Sequence, residues 1–76
     1  MENMLRDIAA ALVDDPNQIR ITEKSGADGS LILELTVAKD DMGKIIGKRG
    51  RIVKSIRSLI KAAANKSGQK VNVEII

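Results

Sequence analysis

Apolar residues recur along this chain with two different periods, and their order predicts six elements of secondary structure. A helical spacing covers residues 3–14 and 51–66, and a shorter helical pattern covers residues 42–46. Strict alternation, which is typical of strands with one buried face, covers three other segments: residues 18–24, 30–37 and 70–76. The predicted order is therefore α-β-β-α-α-β. Helices on one face of a three-stranded sheet make a two-layer α+β fold, and we expect residues 1–76 to form one such domain.

Local signals place the ends of the first elements. Asn3 is a candidate N-cap for the first helix, and Pro16 ends that helix because proline disfavours helical geometry in the residue before it. A turn-rich loop over residues 25–29 joins the first two strands into a hairpin. Asp40 or Asp41 is expected to cap the short helix that follows.

The predicted long helix has one apolar face and one basic face. At 100° per residue its apolar positions fall within an arc of about 120°, the width of a single buried stripe. These positions are Ile52, Val53, Ile56, Leu59, Ile60 and Ala63. Lys54, Arg57 and Lys61 lie on the other side and are expected to face solvent, and Gly68 is expected to stop the helix. In the strands, the residues expected to face the core are Ile19, Ile21, Leu31, Leu33, Leu35, Val37, Val71, Val73 and Ile75.

Charge is distributed unevenly along the chain. Residues 1–41 carry nine acidic and four basic side chains, whereas residues 42–76 carry nine basic side chains and only Glu74 as an acid. Lysines and arginines concentrated in this way form a positive surface if they share a face, and such a surface attracts polyanions. The alternative is a solvated helix face that only keeps the protein soluble.

The missing residue types exclude several classes of function. The chain has no Cys, no His and no aromatic residue, so it lacks a thiolate nucleophile, the commonest general base and the commonest metal ligands. Its adjacent carboxylates, Asp14–Asp15 and Asp40–Asp41, fall at predicted helix ends, where capping explains them better than catalysis or metal binding. We therefore expect neither an enzyme nor a cofactor. No apolar run is long enough for a membrane span, and the first residues lack the layout of a signal peptide, so a cytoplasmic location is expected.

The most informative segment joins the two last predicted helices. Gly47 and Gly50 are three residues apart and enclose Lys48 and Arg49. Glycines allow a tight bend with bare backbone, the two cations suit phosphates, and the free N–H groups of the next helix face the same place. The spacing fits neither a phosphate-binding P-loop nor a dinucleotide fingerprint. The alternative is a helix–turn–helix corner in which the glycines only make the bend.

This segment resembles the core of a KH domain, a nucleic-acid-binding module with a GXXG loop between two helices. The order of elements is similar to that of the prokaryotic, type II version, and the resemblance covers essentially the whole chain, as in the bacterial KH-domain protein A family. The resemblance implies that the loop Gly47-Lys48-Arg49-Gly50 clamps the backbone of single-stranded RNA. It also implies roles for the surrounding apolar and basic residues: Ile45, Ile46, Ile52 and Ile56 as apolar positions flanking the loop, and Lys44, Arg51 and Lys54 as a wider positive field. The strand over residues 31–37 is the expected wall of a groove for about four unpaired bases.

The same resemblance implies a cellular setting. Members of that family are cytoplasmic RNA-binding proteins that form homodimers, pair with the larger KH-domain protein B, and are linked to cell elongation, cell division and post-transcriptional regulation by small RNAs. The dimer contact is expected on the long helix, at the glycine loop, or on an apolar patch formed by Met1, Met4 and residues 75–76. Two other functions stay open. One is a protein-interaction module with the KH shape; the other is a helix-hairpin-helix DNA-binding protein, which the three predicted strands disfavour.

Overall fold

The computed structural model describes residues 1–76 and has the predicted order of helices and strands. The elements, numbered in chain order, are α1 (Glu2–Leu12), β1 (Arg20–Ser25), β2 (Leu31–Thr36), α2 (Met42–Ile46), α3 (Arg51–Lys66) and β3 (Val71–Ile75). Three single 3₁₀ turns lie at Pro16–Gln18, Lys39–Asp41 and Lys48–Gly50. The bounds predicted for the last two helices are confirmed, and so is an α+β fold with three strands, which contradicts the all-helical setting of a helix-hairpin-helix protein.

The three strands form one mixed sheet in the order β1-β2-β3. The strands β1 and β2 make the predicted antiparallel hairpin, with Ile21 opposite Leu35. The strand β3 returns parallel to β2, with Leu33 beside Val73. Parallel neighbours need a crossover connection, and the segment that contains α2 and α3 supplies it. As a result β2 has a partner on both edges, whereas β1 and β3 each keep one open edge.

The core lies between one face of the sheet and the inner faces of the helices. Its side chains come from alternate strand positions and from every third or fourth helix position, as the sequence pattern predicts. The fully buried members include Leu5, Leu33, Leu35, Ile45 and Ile60. Burying each such side chain stabilises the fold by about 1.5–3 kcal/mol relative to leaving it in water. No helix of the structure combines the length and the apolar character that crossing a membrane requires.

The bounds predicted for α1 and β1 are wrong by one or two residues, with α1 ending at Leu12 rather than at residue 14, and β2 and β3 are each one residue shorter at both ends than predicted. The helix α1 begins at Glu2 with Met1 at the N-cap position, and no side chain caps it, so Asn3 lies inside the helix. The helix thus begins earlier than the position at which an asparagine cap would start it. The first strand begins at Arg20 rather than at residue 18, because Pro16–Gln18 forms a 3₁₀ turn. Ile19 is buried as expected, but it lies just before the strand.

The apolar stripe of α3 is rotated relative to the prediction. Val53, Ile56 and Ile60 are buried as expected, but the next buried position is Ala64, whereas Ala63 is only partly buried. Leu59 is 53% exposed. Leu59 lies at one margin of the predicted apolar arc. The sheet and α1 pack against the opposite margin and leave Leu59 uncovered. A leucine on the outer surface of α3 is therefore a feature that the periodicity did not predict.

Candidate nucleic-acid interface

A sharp bend joins α2 to α3, and it consists of Gly47-Lys48-Arg49-Gly50. Gly47 has φ 72° and ψ 175°, and Gly50 has φ 72° and ψ 17° as the N-cap of α3. The Gly50 amide donates to the Gly47 carbonyl at 3.2 Å and closes the turn. Arg49 is the only non-glycine residue of the chain with a positive φ, 58°. A side chain in the left-handed region costs about 1–2 kcal/mol, and such strain is concentrated at functional sites.

The two glycines serve different purposes. A Cβ at Gly47 would lie 2.5 Å from Cγ1 of Ile52, so the loop backbone approaches this side chain more closely than any other residue type permits. A Cβ at Gly50 would meet nothing nearer than Cγ1 of Val53 at 3.8 Å. Gly50 is therefore required only by its positive φ, whereas Gly47 is required by both its φ and the contact with Ile52.

Three exposed cations surround an uncapped helix end at this bend. Lys48, Arg49 and Arg51 are exposed, and none of them forms an ion pair with a carboxylate. No side chain caps the start of α3. The Arg51 amide donates to the Lys48 carbonyl within the turn, so the end of the helix offers the amides that follow and the positive end of the helix dipole. Full charges, amide donors and a dipole thus converge on one place, the combination that binds phosphates.

Lys44 differs from the other basic residues predicted to attract RNA because its ammonium group already pairs with carboxylates of this chain. Its ammonium forms ion pairs with the carboxylates of Asp14 and Asp41. The hydrogen bond to Asp14 raises the pKa of Lys44 above its usual value. At 100° per residue Lys44 also lies on the opposite side of α2 from Ile46, so it faces the end of α1.

Asp41 anchors the start of α2 to the end of α1. Its side chain is buried but does not cap α2 as predicted. Instead it accepts hydrogen bonds from the backbone amides of Asp14 at 3.2 Å and of Asp15 at 3.1 Å. Burial tends to raise the pKa of Asp41, but these two amides and the Lys44 ammonium outweigh it and hold the pKa below its usual range. The start of α2 is thereby tied to the end of α1.

The two isoleucines before the loop have separate environments. Ile45 is fully buried and packs in the core, so it positions α2 and has no exposed surface for a ligand. Ile46 is 38% exposed beside Gly47 and offers apolar surface there. Ile52 is partly buried against the loop, and Ile56 is buried. Of the four apolar positions that the resemblance singles out, Ile46 is therefore the one open to a ligand.

The expected groove strand, β2, is the central strand of the sheet, whereas β3 is an edge strand beside α3. Both edges of β2 are hydrogen-bonded to neighbouring strands, so its peptide groups are not free. The strand β3 packs beside α3 and keeps an open edge. Arg57, predicted to extend into solvent, donates from Nε to the carbonyl of Val73 at 3.0 Å across this edge.

A row of basic side chains leads from the bend along this edge. At 100° per residue, Lys54, Arg57 and Lys61 share one flank of α3 with Gly50. The row begins at the loop and passes the open edge of β3 at Arg57. Sequence spacing contained the signal for the row, since these residues lie three and seven positions apart. The strand beside it is visible only in the fold.

Comparison with known proteins agrees with this geometry. The family model described as "KhpA/KhpB, KH domain" matches residues 2–75. The chain is 54% identical to RNA-binding protein KhpA of Clostridium acetobutylicum, over the whole of both chains. It is 51% identical to RNA-binding protein KhpA of Caldanaerobacter subterraneus subsp. tengcongensis, again over the whole of both. It is 45% identical to RNA-binding protein KhpA of Chlamydia trachomatis, over all of this chain and 96% of that protein.

Solved structures give the same fold. The structure of Era in complex with MgGDPNP and nucleotides 1506–1542 of 16S ribosomal RNA superimposes with a TM-score of 0.62 at 25% identity. A variant of Aquifex aeolicus Era bound to GDP.AlF4- gives a TM-score of 0.61, also at 25% identity. Each match covers 95% of this chain and 28% of the Era chain. With its type II KH-like fold, its GXXG bend and its full-length relatives, this chain belongs to the KhpA/KhpB KH-domain family.

Proposed function

We propose that this protein binds single-stranded RNA and that the Gly47–Gly50 bend holds the sugar–phosphate backbone. The observation that carries this proposal is the pairing of two unpartnered cations, Lys48 and Arg49, with the uncapped N-terminus of α3. The relatives named RNA-binding protein KhpA support it, as does the shared fold of Era, which was solved with a fragment of 16S ribosomal RNA. The protein acts by binding, and no step of chemistry is assigned to it.

The bases occupy the groove between the bend, α3 and the open edge of β3. Ile46 provides apolar surface at one end, and Lys54 and Arg57 line the flank. Because the chain has no aromatic residue, base stacking on aromatic rings contributes nothing to affinity. A four-nucleotide site without stacking binds weakly, and phosphate contacts carry much of its affinity.

Salt dependence gives the number of phosphate contacts. With about three phosphates neutralised on a single strand, log K falls with a slope near −2 per log unit of salt. Raising the salt concentration from about 50 to about 200 mM therefore weakens binding by roughly twentyfold. A slope near zero would mean that the cations of the bend do not contact phosphates.

The decisive variant is Lys48→Asp with Arg49→Asp. We expect it to keep the circular dichroism spectrum and melting temperature of the wild type, because both side chains are exposed, and to lose binding to single-stranded RNA in fluorescence anisotropy. The matched control is Arg6→Asp with Lys66→Asp, which makes the same change of charge at exposed positions away from the bend. Unchanged RNA affinity in the loop variant would contradict the proposal. If instead that variant keeps its protein partners and the wild type binds no RNA, the protein is an interaction module with the KH shape.

We further infer that the protein works as a homodimer that joins through the outer face of α3. Leu59 is 53% exposed there, beside the small side chains of Ser55, Ser58 and Ala62 and with Lys54 at the margin toward the RNA-binding flank. Small residues let two helices approach closely, and a second copy of this face covers both leucines. Sedimentation equilibrium tests the inference: the wild type is expected at twice the monomer mass and Leu59→Asp at the monomer mass. A monomeric wild type would contradict it.

The family also suggests the cellular setting. We infer that the protein pairs with a KhpB-type partner, in line with the name of the family model, and that it acts in the cytoplasm in post-transcriptional regulation linked to elongation and division. Crosslinking to RNA in cells, followed by sequencing of the footprints, tests the regulatory role. A pull-down with the loop variant as control tests the partner.

A further inference from the structure

We propose that Arg57 is a specificity-determining residue of this groove and that it favours a base with two adjacent hydrogen-bond acceptors on one edge. Among the pyrimidines, the preference is therefore for cytosine over uracil at that position. The inference rests on the proposed RNA binding, and it goes beyond that function by assigning a base preference to one side chain.

The first observation is that one hydrogen bond holds the guanidinium of Arg57 in place while its other N–H donors stay unpaired. Its Nε–H donates to the Val73 carbonyl at 3.0 Å, and this bond fixes the direction of the planar group. A guanidinium has five N–H donors in a rigid fork, so four of them remain. They make no other hydrogen bond, and Arg57 forms no ion pair. An anchored fork with free donors is arranged for a ligand rather than for stabilising the fold by charge pairing.

The second step is that Arg57 lies where a base is expected. It follows Gly50 by seven residues, which places it about 10 Å along the axis of α3 at 1.5 Å per residue. It also shares the flank of Gly50, Lys54 and Lys61. An RNA strand whose phosphates are held at the bend and along these lysines therefore places one of its bases next to Arg57. This distance is within the four nucleotides that such a groove holds.

The third step concerns the neighbouring backbone. Lys70 and Ile76 direct their peptide groups toward β2, since Lys70 accepts from Leu31 and Ile76 donates to Leu35. Peptide groups alternate along a strand, so those of Val71, Val73 and Ile75 point outward from the open edge. Arg57 occupies the Val73 carbonyl on this edge. At this place the Val73 carbonyl, a hydrogen-bond acceptor, is covered by the guanidinium of Arg57, which carries only donors. The surface that faces the base is therefore rich in hydrogen-bond donors.

The base preference follows from the pattern of donors and acceptors. Cytosine presents N3 and O2 as adjacent acceptors, which a guanidinium fork can bind with two parallel hydrogen bonds. Uracil carries N–H at position 3, so one donor would face another donor. A bidentate contact of arginine with a base discriminates between bases by about tenfold or more. Lysine keeps the charge but lacks the planar fork, so it cannot supply this discrimination.

The test compares fluorescein-labelled twelve-nucleotide oligocytidine and oligouridine by fluorescence anisotropy at neutral pH and low salt. We expect the wild type to bind oligocytidine about tenfold more tightly. Arg57→Lys and Arg57→Gln are expected to bind the two oligonucleotides equally, with Lys keeping the oligouridine affinity of the wild type. The matched control Lys61→Gln removes one charge on the same flank and is expected to weaken both by the same factor, so the preference stays.

The outcomes separate the two proposals. If the wild type binds neither oligonucleotide, the proposed RNA binding fails and the inference fails with it. If the wild type binds both equally, or if either Arg57 variant keeps the preference, RNA binding stands and the role of Arg57 is overturned. Circular dichroism checks that each Arg57 variant is folded, and the ratio measured for the wild type tests the preference independently of any variant.

Discussion

The two glycines of the bend provide a quantitative test of the geometry, because the same substitution has a different cost at each. Gly47→Ala adds a Cβ at 2.5 Å from Cγ1, 2.8 Å from Cδ1 and 2.9 Å from Cβ of Ile52, and it does so at φ 72° and ψ 175°. Gly50→Ala adds a Cβ with no neighbour closer than 3.8 Å, at φ 72° and ψ 17°. Gly50→Ala is therefore opposed only by the positive φ, whereas Gly47→Ala is opposed by the positive φ and by a clash with a side chain.

The expected magnitudes follow from these contacts. Gly50→Ala costs about 1–2 kcal/mol, the penalty of a non-glycine residue in the left-handed region. In Gly47→Ala the alanine has to adopt a φ/ψ combination that is essentially restricted to glycine, which costs about 1–3 kcal/mol. Its Cβ also overlaps the Ile52 side chain, at a further cost of about 1–3 kcal/mol. A domain of this size has about 3–5 kcal/mol of net stability. Gly50→Ala is therefore expected to stay folded, whereas Gly47→Ala loses most or all of its stability.

Thermal and urea unfolding followed by circular dichroism measures both costs. A loss of 1 kcal/mol lowers the melting temperature of so small a domain by about 4–8 °C, so we expect a decrease of about 5–15 °C for Gly50→Ala and a larger one for Gly47→Ala. Equal costs for the two glycine variants would refute the geometry of the bend.

The remaining predictions concern the anchor and the core. Because hydrogen bonds hold the pKa of Asp41 below 3.8, its carboxylate stabilises the fold above that pH and the contribution is lost as the pH falls below it. The melting temperature of the wild type should therefore fall more steeply than that of Asp41→Asn as the pH is lowered below about 4, and parallel profiles would contradict the role of Asp41. Leu33→Ala empties a fully buried position of β2 and should cost about 2–5 kcal/mol in urea unfolding. Ile32→Ala, a half-buried position on the other face of the same strand, is the control; an equal loss there would mean that the assigned core face is wrong.

The sequence predicted the features that depend on neighbouring residues. The alternation of Leu31, Leu33 and Leu35 identified a strand and its buried face, and the stop at Gly68 and the spacing of Gly47 and Gly50 placed the ends of α3 and the bend. These signals are local, since a residue's backbone preference and its side of an element depend on the few residues around it. Even there the cap predicted at Asn3 was wrong, since α1 begins at Glu2 and Asn3 lies inside the helix.

Contacts between distant residues were decided only by the tertiary structure. Nothing in the spacing of Lys44 indicates that its charge is shared with Asp14, thirty positions earlier, or that Arg57 reaches the carbonyl of Val73. The exposure of Leu59 and the position of β3 at the edge of the sheet belong to the same class. Periodicity determines which way a side chain points from its own element. Which neighbour it meets depends on how the sheet is ordered and how the helices cross it, and those are settled by the simultaneous burial of all apolar faces in one core.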